Sequence, residues 1–440
     1  MSFSSYGAYK ETNVAELGEV PAHWNVVPLK YVVETPITDG PHETPEFIDD
    51  GIPFVSAEAV SSGEINFSKS RFISHADHHK YSKKYKPRRN DIFMVKSGAT
   101  TGVVALVSTD RDFNIWSPLA VVRCSRLAFP RYVLQAMRSR NFQESVILNW
   151  SFGTQQNIGM SVIENLRIPL PPIPEQTQIA HFLDHETARI DALIEEQQRL
   201  IELLKEKRQA VISHAVTKGL DPTVPMKDSD VEWLGEVPAH WGVVSISRIF
   251  EIRAGGDLKT EFYSDVQTES HKHPIFTNAT NESAIYGYTS KAIFPGGTIT
   301  VTGRGDVGYA IFRSQPYDAI IRLLVLKPVR DVQAKLYAYM VNAVLTFSVG
   351  SSAISQLSAE QIAPYKVLLP PIGEQTEILA LLDQATMEID ALVNEAHGVI
   401  SLLQERRSAL ISAAVTGKID VRSWQPPASA PTPELAQEAV

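Results

Sequence analysis

Glycines at fixed spacing in the second half of the chain match a pattern used to bind nucleotide cofactors. The stretch Gly303-Arg304-Gly305-Asp306-Val307-Gly308 fits G-x-G-x-x-G. In a dinucleotide site this pattern opens a helix whose N-terminus faces the pyrophosphate. Here the strand-like YAIFRSQ follows, and no β-α-β unit is visible. We therefore predict a glycine-rich hairpin and not a cofactor site, with Arg304 at the tip, where it could contact a phosphate.

A basic run in the first half of the chain could bind a polyanion. Residues 80–89 (KYSKKYKPRR) hold six cationic side chains and two tyrosines: Lys80, Lys83, Lys84, Lys86, Arg88 and Arg89 are the cations. Such a run can neutralise several phosphates, and the tyrosine rings can support backbone or base contacts. A solvated charged edge before the strand at Asp91 is an equally good interpretation. Only Lys291 stands in the corresponding stretch of the second half.

The histidines and the cysteine do not form a pattern that binds metal. His75, His78 and His79 are close together, as are His271 and His273, but no Cys pair or HExxH supplies further ligands. These histidines are better interpreted as surface residues. Cys124 is the single cysteine, which excludes a disulfide framework and any multi-cysteine metal site.

Motifs of bond-making chemistry are also missing from the sequence. It contains no G-x-S-x-G and no Walker loop. An adenine methyltransferase would need Asn or Asp before a Pro-Pro pair and an aromatic residue after it. Pro171-Pro172 and Pro370-Pro371 lack both. We therefore expect no catalytic residues, no cofactor and no metal in this chain.

Charge is distributed unevenly along the chain. The net charge of −9 would ordinarily argue against nucleic acid. Residues 25–170, however, hold 17 basic against 14 acidic residues, and residues 243–369 hold 12 against 10. These mildly basic segments permit a polyanionic partner. Without a secretory signal or a long apolar run, a soluble cytoplasmic protein is expected.

Two repeats organise the chain and must position these residues. LGEVPAHW occurs at Leu17–Trp24 and again at Leu234–Trp241. A longer match begins at Ile168 and at Val367 and aligns without a gap at an offset of 199; it contains PPIPEQT in one copy and PPIGEQT in the other. A period near 200 is too long for a solenoid, so the chain is interpreted as a duplicated domain.

Each PPI-x-EQ stretch predicts the start of a long helix, because proline is tolerated in the first turn and an acidic residue suits the positive helix end. Heptad-spaced positions follow in both copies: Leu183, Ile190, Gln197, Leu204 and Val211, and Leu382, Ile389, Ala396, Leu403 and Leu410. About 42 residues would give a rod of roughly 60 Å. Such a stripe needs a partner helix, and the other copy is the obvious candidate. The alternative is that each rod packs on its own globular neighbour.

The segments between the repeats predict two mixed domains with the same element order. In the first, IFMV, VVALV and LAVVR are strand-like and precede a helix over 130–148. In the second, TITV, YAIF and IRLLVL precede a helix over 332–347. Ser97–Gly102 stands between two strands just as Gly303–Gly308 does. We call residues 26–170 the first middle domain and residues 243–369 the second middle domain.

In this order, twice, the motifs resemble the specificity (S) subunit of type I restriction–modification systems. The resemblance rests on LGEVPAHW before each middle domain, the glycine-rich hairpins, PPIPEQ and PPIGEQ before each helix, and the junction from Ala215 to Trp241. It implies an α+β fold with two mixed α/β target recognition domains, two long antiparallel coiled-coil helices and an internal pseudo-two-fold repeat. The implied order is a repeat segment (1–25), the first middle domain (26–170), a central helix (171–218), a linker with the second repeat segment (219–242), the second middle domain (243–369), a C-terminal helix (370–417) and a disordered tail (418–440).

The resemblance also implies a function without bond chemistry. Each middle domain would read one half of a bipartite double-stranded DNA site, and the helices would fix the spacer. Two methyltransferase subunits would supply S-adenosylmethionine binding and adenine methylation, joined in complete systems by ATP- and Mg-dependent restriction subunits. The DNA-binding candidates, chosen on charge alone, are the six cations of residues 80–89 with Lys291 and Arg304.

Two different recognition domains would suit an asymmetric target, since identical domains under two-fold symmetry would demand a palindrome. The rival interpretations are a stand-alone DNA-binding regulator, a coiled-coil scaffold that binds only proteins, and an enzyme in its own right. Copurification with a methyltransferase, duplex binding and methylation by the isolated chain, respectively, would discriminate them.

Overall fold

The structure, a computed structural model, describes residues 4–152, 156–281, 283–347 and 356–427. It divides into two compact units. The first unit comprises Met1–Glu196 and Val399–Val440, and the second comprises Gln197–Gly398. Because both boundaries fall inside long helices, each unit contains one part of each helix.

The first half of the chain, up to the end of its long helix, contributes the following elements. The strands are β1 (Tyr9–Glu11), β2 (Glu19–Pro21), β3 (Asn25–Pro28), β4 (Thr38–Asp39), β5 (Ile52–Val55), β6 (Arg71–Ile73), β7 (Ile92–Val95), β8 (Val104–Leu106), β9 (Asn114–Ile115), β10 (Leu119–Val122), β11 (Ser151–Phe152), β12 (Gln156–Asn157) and β13 (Arg167–Leu170). The helices are α1 (His75–Ser82), α2 (Pro130–Arg138), α3 (Arg140–Asn149), α4 (Met160–Asn165) and α5 (Ile173–Lys218).

Two sheets build the first middle domain. An antiparallel sheet has the order β4-β10-β7-β8, and a three-stranded sheet has the order β6-β5-β9 with β9 parallel to β5. The central strand β7 is buried on both faces, which explains its unbroken apolar sequence. Ile92 and Met94 join the cluster that contains helix α2, whereas Phe93 and Val95 join the cluster between the sheets.

The second half of the chain contributes an equivalent set. The strands are β14 (Met226–Asp228), β15 (Glu236–Pro238), β16 (Gly242–Ser245), β17 (Phe250–Ala254), β18 (Tyr263–Ser264), β19 (His273–Phe276), β20 (Gly287–Thr289), β21 (Thr298–Val301), β22 (Ala310–Arg313), β23 (Asp318–Ala319), β24 (Leu324–Pro328) and β25 (Lys366–Leu369). The helices are α6 (Ala334–Val344), α7 (Ala359–Ile362) and α8 (Ile372–Val415).

The second middle domain repeats the topology of the first. Its antiparallel sheet has the order β17-β24-β21-β22, and its other sheet has the order β18-β20-β19-β23 with β23 parallel to β19. Strand pairs also close each domain at its base, β3 with β13 and β16 with β25. The predicted common element order is therefore confirmed, although the two middle domains share little sequence.

Both glycine-rich stretches are hairpin loops, as predicted. The first loop joins β7 to β8 and the second joins β21 to β22, in antiparallel pairs. Gly102 and Gly308 occupy equivalent places with φ of 97° and 93°, in the left-handed region that favours glycine.

The helix predicted over 130–148 is interrupted. Ser139 has an extended ψ of 148° between α2 and α3, and its side chain accepts a hydrogen bond from the backbone of Phe142 at 3.3 Å. A serine that caps a new helix competes with continuation of the preceding one, so one amphipathic stretch forms two helices. The corresponding helix of the second middle domain, α6, is shorter than the predicted 332–347 range.

The long helices pair with one another in antiparallel fashion. In the first unit Arg407 Nε of α8 lies 3.0 Å from Asp191 of α5. In the second unit Arg208 Nε of α5 lies 3.1 Å from Asp390 of α8. Positions of both predicted stripes face inward: Leu183, Ile190, Ile389 and Ala396 are buried. The alternative packing also occurs, because the beginnings of both helices join the cores of the middle domains. Among the described residues, each helix is too short or too polar to cross a membrane.

The packed chain extends beyond the predicted start of the tail at residue 418. Val421 is fully buried, and the ring of Trp424 packs edge-on against Phe182 at 5.3 Å. Gln178 donates hydrogen bonds to the carbonyls of Val421 and Trp424 at 3.1 and 2.6 Å. Residues 418–427 therefore belong to the first unit, and the remainder of the predicted tail, 428–440, lies outside the described residues.

Candidate nucleic-acid interface

The repeated phrase LGEVPAHW forms a clamp on the start of each long helix. In the first unit Trp24 Nε1 donates to Glu175 at 3.0 Å, and His23 Nε2 lies 2.7 Å from the same carboxylate. In the second unit Trp241 Nε1 donates to Glu374 at 2.9 Å, with His240 Nε2 at 2.8 Å. The His-Trp of the phrase and the Glu of PPI-x-EQ are thus two halves of one contact, which explains why both are duplicated.

The neighbouring glutamine holds the middle domain to the same helix start. Gln176 accepts a hydrogen bond from the backbone N–H of Phe129 at 2.8 Å, just before α2. Gln375 accepts one from Gln333 at 2.9 Å, just before α6. Both glutamines are buried, so their amides satisfy backbone groups that would otherwise lack partners. These repeated residues therefore fix each middle domain on its helix.

One end of each antiparallel sheet gathers the loops that the clamp leaves exposed. Because Val95 of β7 pairs with Leu119 of β10, the glycine-rich loop leaves the sheet beside the turn that enters β10. The backbone N–H of Lys96 donates to Pro118 at 2.7 Å, and that of Gly98 donates to Gln156 at 3.0 Å. We call residues 40, 96–103, 116–118 and 156–158 the first loop end.

The second middle domain has the equivalent arrangement, because Val301 of β21 pairs with Leu324 of β24. Asn278 joins its loops: its side-chain oxygen accepts from the backbone N–H of Gly303 at 2.7 Å, and its amide donates to the carbonyl of Ile321 at 2.7 Å. We call residues 255–256, 278, 302–309, 321–322 and 356–357 the second loop end.

The first loop end is bordered by three basic side chains around one carboxylate. Asp39 precedes Gly40, and its oxygens lie 2.6 Å from Lys84 Nζ, 3.1 Å from Lys96 Nζ and 3.1 Å from His42 Nε2. Burial disfavours the charged carboxylate, but the hydrogen bonds and charges of both lysines outweigh burial and lower the pKa of Asp39. With two lysines on one carboxylate, this edge keeps a net positive charge at neutral pH.

The second loop end is basic for a different reason. Arg304 stands in the glycine-rich loop, and Arg322 stands in the neighbouring turn, where it is exposed. The loops are in contact, since a Cβ built on Gly303 would lie 2.9 Å from the carbonyl oxygen of Arg322. Asp306 is the acidic member of the same loop. The second loop end therefore offers two cations, one acidic acceptor and exposed backbone. Groups of these kinds contact phosphates and base edges in protein–DNA complexes.

Comparison with known proteins identifies the scaffold. Residues 21–204 and 238–396 match the family described as "Type I restriction modification DNA specificity domain". The chain belongs to this family. The resemblance drawn from the repeated motifs is therefore confirmed, and each copy of the family domain contains one middle domain and much of the helix that follows it.

Full-length relatives and solved structures agree with this assignment. The protein named as the MjaX specificity subunit of a type I restriction enzyme in Methanocaldococcus jannaschii is 24% identical over 94% of this chain and 98% of its own. The type I restriction enzyme EcoKI specificity subunit of Escherichia coli (strain K12) is 22% identical over 93% of this chain and 91% of its own.

The fold is similar to that of a chain in a solved structure that describes complex assembly and conformational transition of the type I R-M system. The TM-score is 0.71 at 17% identity, and the match covers 91% of this chain and 99% of the other. The HsdS subunit from Thermoanaerobacter tengcongensis gives a TM-score of 0.50 at 18% identity, covering 91% of this chain and 98% of its own. The fold predicted for this specificity family is confirmed.

In this member of the specificity family, the basic run of residues 80–89 does not form a single surface. Lys84 reaches the first loop end, whereas Arg89 lies next to the opposite end of β7. Four of the six cations are ion-paired within the domain: Lys80 with Glu43, Lys84 with Asp39, Lys86 with Asp112, and Arg89 with Asp110, at 2.5–2.8 Å. Lys83 and Arg88 have exposed side chains. The charge available to a ligand is therefore smaller than the sequence indicates.

Lys291 and Arg304 are also separated. Lys291 follows β20 beside the beginning of β19, and its Nζ lies 5.6 Å from the centre of the Phe262 ring. Arg304 lies at the other end of that domain, past the end of β21. Of the eight DNA-binding candidates, the geometry brings only Lys84 and Arg304 to a loop end.

Two residues of the loop ends were missed from sequence, Lys96 and Arg322. Lys96 directly precedes the glycine-rich loop, so a search for cations flanking that loop would have found it. Arg322 falls inside the stretch IRLLVL, for which the sequence predicts one strand, and its turn is revealed only by the positive φ of 58°.

The other candidate groups have structural roles. His78 is buried, and its Nδ1 lies 2.7 Å from the side-chain oxygen of Asn114, so it is not the surface histidine that was predicted. Burial raises the pKa of Cys124 to about 12, which disfavours the reactive thiolate. Within the ranges that the structure describes, no three His, Cys, Asp or Glu side chains are grouped as a metal site.

Proposed function

We propose that this chain is the DNA sequence-specificity subunit of a type I restriction–modification complex, and that each loop end reads one half of a bipartite, asymmetric target. The observation that carries the proposal is the contrast between repeated and unrepeated residues. The clamp residues are the same in both units, whereas the loop ends use lysines around Asp39 in one domain and Arg304 with Arg322 in the other. Different side chains on one topology suit two different half-sites.

The long helices are proposed to set the spacer between the half-sites. Helix α5 has 46 residues and α8 has 44, and each continues without interruption from one unit into the other. A continuous α-helix rises 1.5 Å per residue, so 46 residues would span about 70 Å. The ion pairs Arg407–Asp191 and Arg208–Asp390 support a fixed register between the helices, which a constant spacer would require.

Methyltransferase subunits are the proposed partners, and the helices offer a surface for them. Leu193 and Leu392 are 43% and 49% exposed, and Leu203 and Leu402 are 53% and 66% exposed. Each pair is separated by 199 residues, so the same apolar positions recur on both helices. Leucines repeated outside a paired stripe are suited to partner helices, and two equal positions suit two copies of one partner.

This division of labour leaves methylation to the partners. Adenine methylation needs S-adenosylmethionine and a pocket that receives a flipped base, and we propose that the methyltransferase subunits supply both in the cytoplasm. Restriction subunits with ATP and Mg²⁺ would join them in a complete system. The proposed role of this chain is specificity and assembly.

Coexpression with the methyltransferase encoded beside it tests the proposal. Mapping of methylated adenines in the host DNA should reveal one bipartite motif with a constant spacer. The matched control is the same strain without this chain, in which that methylation should disappear. Methylation that is independent of this chain, or methylation by the isolated chain, would contradict the proposal.

The docking surface has its own test. Leu193→Gln with Leu392→Gln should reduce copurification of the methyltransferase, whereas Leu127→Gln, a substitution at a more exposed leucine outside the helices, should not. Equal retention in both variants would contradict the assignment of this surface.

A further inference from the structure

The turn between β23 and β24 has a backbone conformation that its residues disfavour. Ile321 and Arg322 have φ of 56° and 58°, and the backbone N–H of Leu323 donates to Ile320 at 3.2 Å. Two consecutive left-handed residues in a two-residue turn are typical of type I′, which prefers Asn-Gly. For a β-branched residue such as Ile the left-handed region is a genuine outlier.

The surrounding structure holds this turn in place. The backbone N–H of Ile321 donates to Gly256 at 3.1 Å, and its carbonyl accepts from Asn278 Nδ2 at 2.7 Å. The carbonyl of Arg322 lies against Gly303, where any side chain would collide with it. A strained conformation persists only where its surroundings determine it to this degree.

The shared fold does not require this strain. In the first middle domain the equivalent turn joins β9 to β10, with the backbone N–H of Leu119 donating to Trp116 at 3.0 Å. Its central residues, Ser117 and Pro118, are not among those with positive φ. The strained version is therefore specific to the second domain, where it presents two large side chains.

Those side chains are directed to solvent and not to the core. Ile321 is 47% exposed and Arg322 is exposed. Within the described residues no hydrogen bond or ion pair engages the Arg322 guanidinium. The turn favours Asn-Gly, yet it holds Ile321 and Arg322. Neither core packing nor an internal hydrogen bond explains why these two residues stand there.

We propose that Ile321 and Arg322 form a base-reading tip of the second loop end. Arg322 would donate to guanine, and Ile321 would contact a thymine methyl group, the apolar feature of the major groove. This proposal rests on the proposed DNA-recognition function and names residues that determine one half-site. It predicts that this half-site contains a G·C pair and an A·T pair next to each other.

The test replaces the tip with the residues that the turn prefers. In Ile321→Asn with Arg322→Gly the backbone keeps its conformation but loses the apolar side chain and the guanidinium, and relief of the left-handed strain should make the second unit unfold about 2–4 °C higher. Methylation mapping of the complex with its methyltransferase should show one half-site relaxed, with about tenfold less discrimination at two adjacent pairs. The other half-site and the spacer should be unchanged.

Two further variants make the outcome specific. Lys96→Ala at the first loop end should affect the opposite half-site, and Asp230→Gly, which relieves another left-handed residue (φ 54°) far from either loop end in sequence, should affect neither. Arg322→Ala alone should relax the same half-site if the double variant is poorly expressed. Unchanged discrimination at both half-sites in the tip variants would overturn the inference. A wild-type complex that methylates no bipartite site would instead refute the proposed function.

Discussion

Two equivalent glycines give a quantitative test of how the repeated phrase holds each helix end. Gly219 follows α5 and Gly417 follows α8, with φ of 75° and 72°. A Cβ at Gly219 would lie 3.1 Å from the ring of Trp241, whereas at Gly417 it would lie 2.3 and 2.4 Å from Cγ and Cδ of Pro21. We predict that Gly417→Ala destabilises the protein much more than Gly219→Ala.

The difference follows from the two contacts. Alanine in the left-handed region costs about 1–2 kcal/mol at either position. At Gly219 the indole ring must move by a few tenths of an ångström, which adds little. At Gly417 the collision is with a rigid proline ring inside the clamp, and overpacking of this kind typically costs about 1–3 kcal/mol more. The expected totals are therefore roughly 1–2 kcal/mol for Gly219→Ala and roughly 2–5 kcal/mol for Gly417→Ala.

Hydrogen exchange measured by mass spectrometry separates the two effects, because peptides covering 17–24 and 234–241 report on different units. Exchange in 17–24 should rise strongly in Gly417→Ala, while exchange in 234–241 should rise modestly in Gly219→Ala. Urea unfolding gives the overall change in free energy. Equal destabilisation by the two substitutions, or a larger effect of Gly219→Ala, would refute the proposed packing of the phrase on the helix end.

Three other predictions concern the loop ends and the helices. Lys84→Ala with Lys96→Ala should weaken DNA binding by the assembled complex and reduce the slope of the binding constant against salt concentration by the equivalent of about two phosphate contacts. Arg89→Ala, distant from the loop end, should leave that slope unchanged. The folded-state pKa of Asp39 is lowered from 3.8, so the ionised carboxylate stabilises the folded protein above about pH 4, and this stabilisation is lost as the pH falls below that value. Asp39→Asn should therefore make the free energy of unfolding, measured in urea, less sensitive to acid. An unchanged pH profile of that free energy would count against the Asp39 cluster. Insertion of seven residues, which preserves the heptad stripe, into the middle of both α5 and α8 should lengthen the methylated spacer, and a constant spacer would contradict the role of the helices.

Much of the scaffold could be predicted because its signals are local or repeated. The heptad stripes and the Pro-Pro starts predict the long helices, and the strand β7 is recognisable from an unbroken apolar run between polar flanks. The duplication predicts that the two halves share one topology. The break at Ser139 was not predicted, since an amphipathic period continues across it and only the capping contact to Phe142 distinguishes two helices from one.

The candidate interface was less predictable because charge in a sequence does not reveal ion pairing or position. Four cations of the run 80–89 meet carboxylates that are far away in sequence, such as Asp110 and Asp112. Arg322 is a single charge inside the apolar stretch IRLLVL, so no local pattern distinguishes it, whereas Lys96 is marked only by its place directly before the glycine-rich loop. Their placement depends on strand register, which brings the glycine-rich loop beside the turn that enters the next strand.

In each half of the chain, the repeated phrase and the helix start are tightly constrained by their contacts, whereas the loop ends are less so. A change in His23, Trp24 or Glu175 would disturb the phrase and the helix start together, because one carboxylate joins them. Within the second loop end, Asn278 joins the loops by binding backbone groups of Gly303 and Ile321. Side chains there can change without altering the frame. If the loop ends read the half-sites as we propose, a new half-site would require substitutions only at one loop end, while the clamp and the helices would stay unchanged.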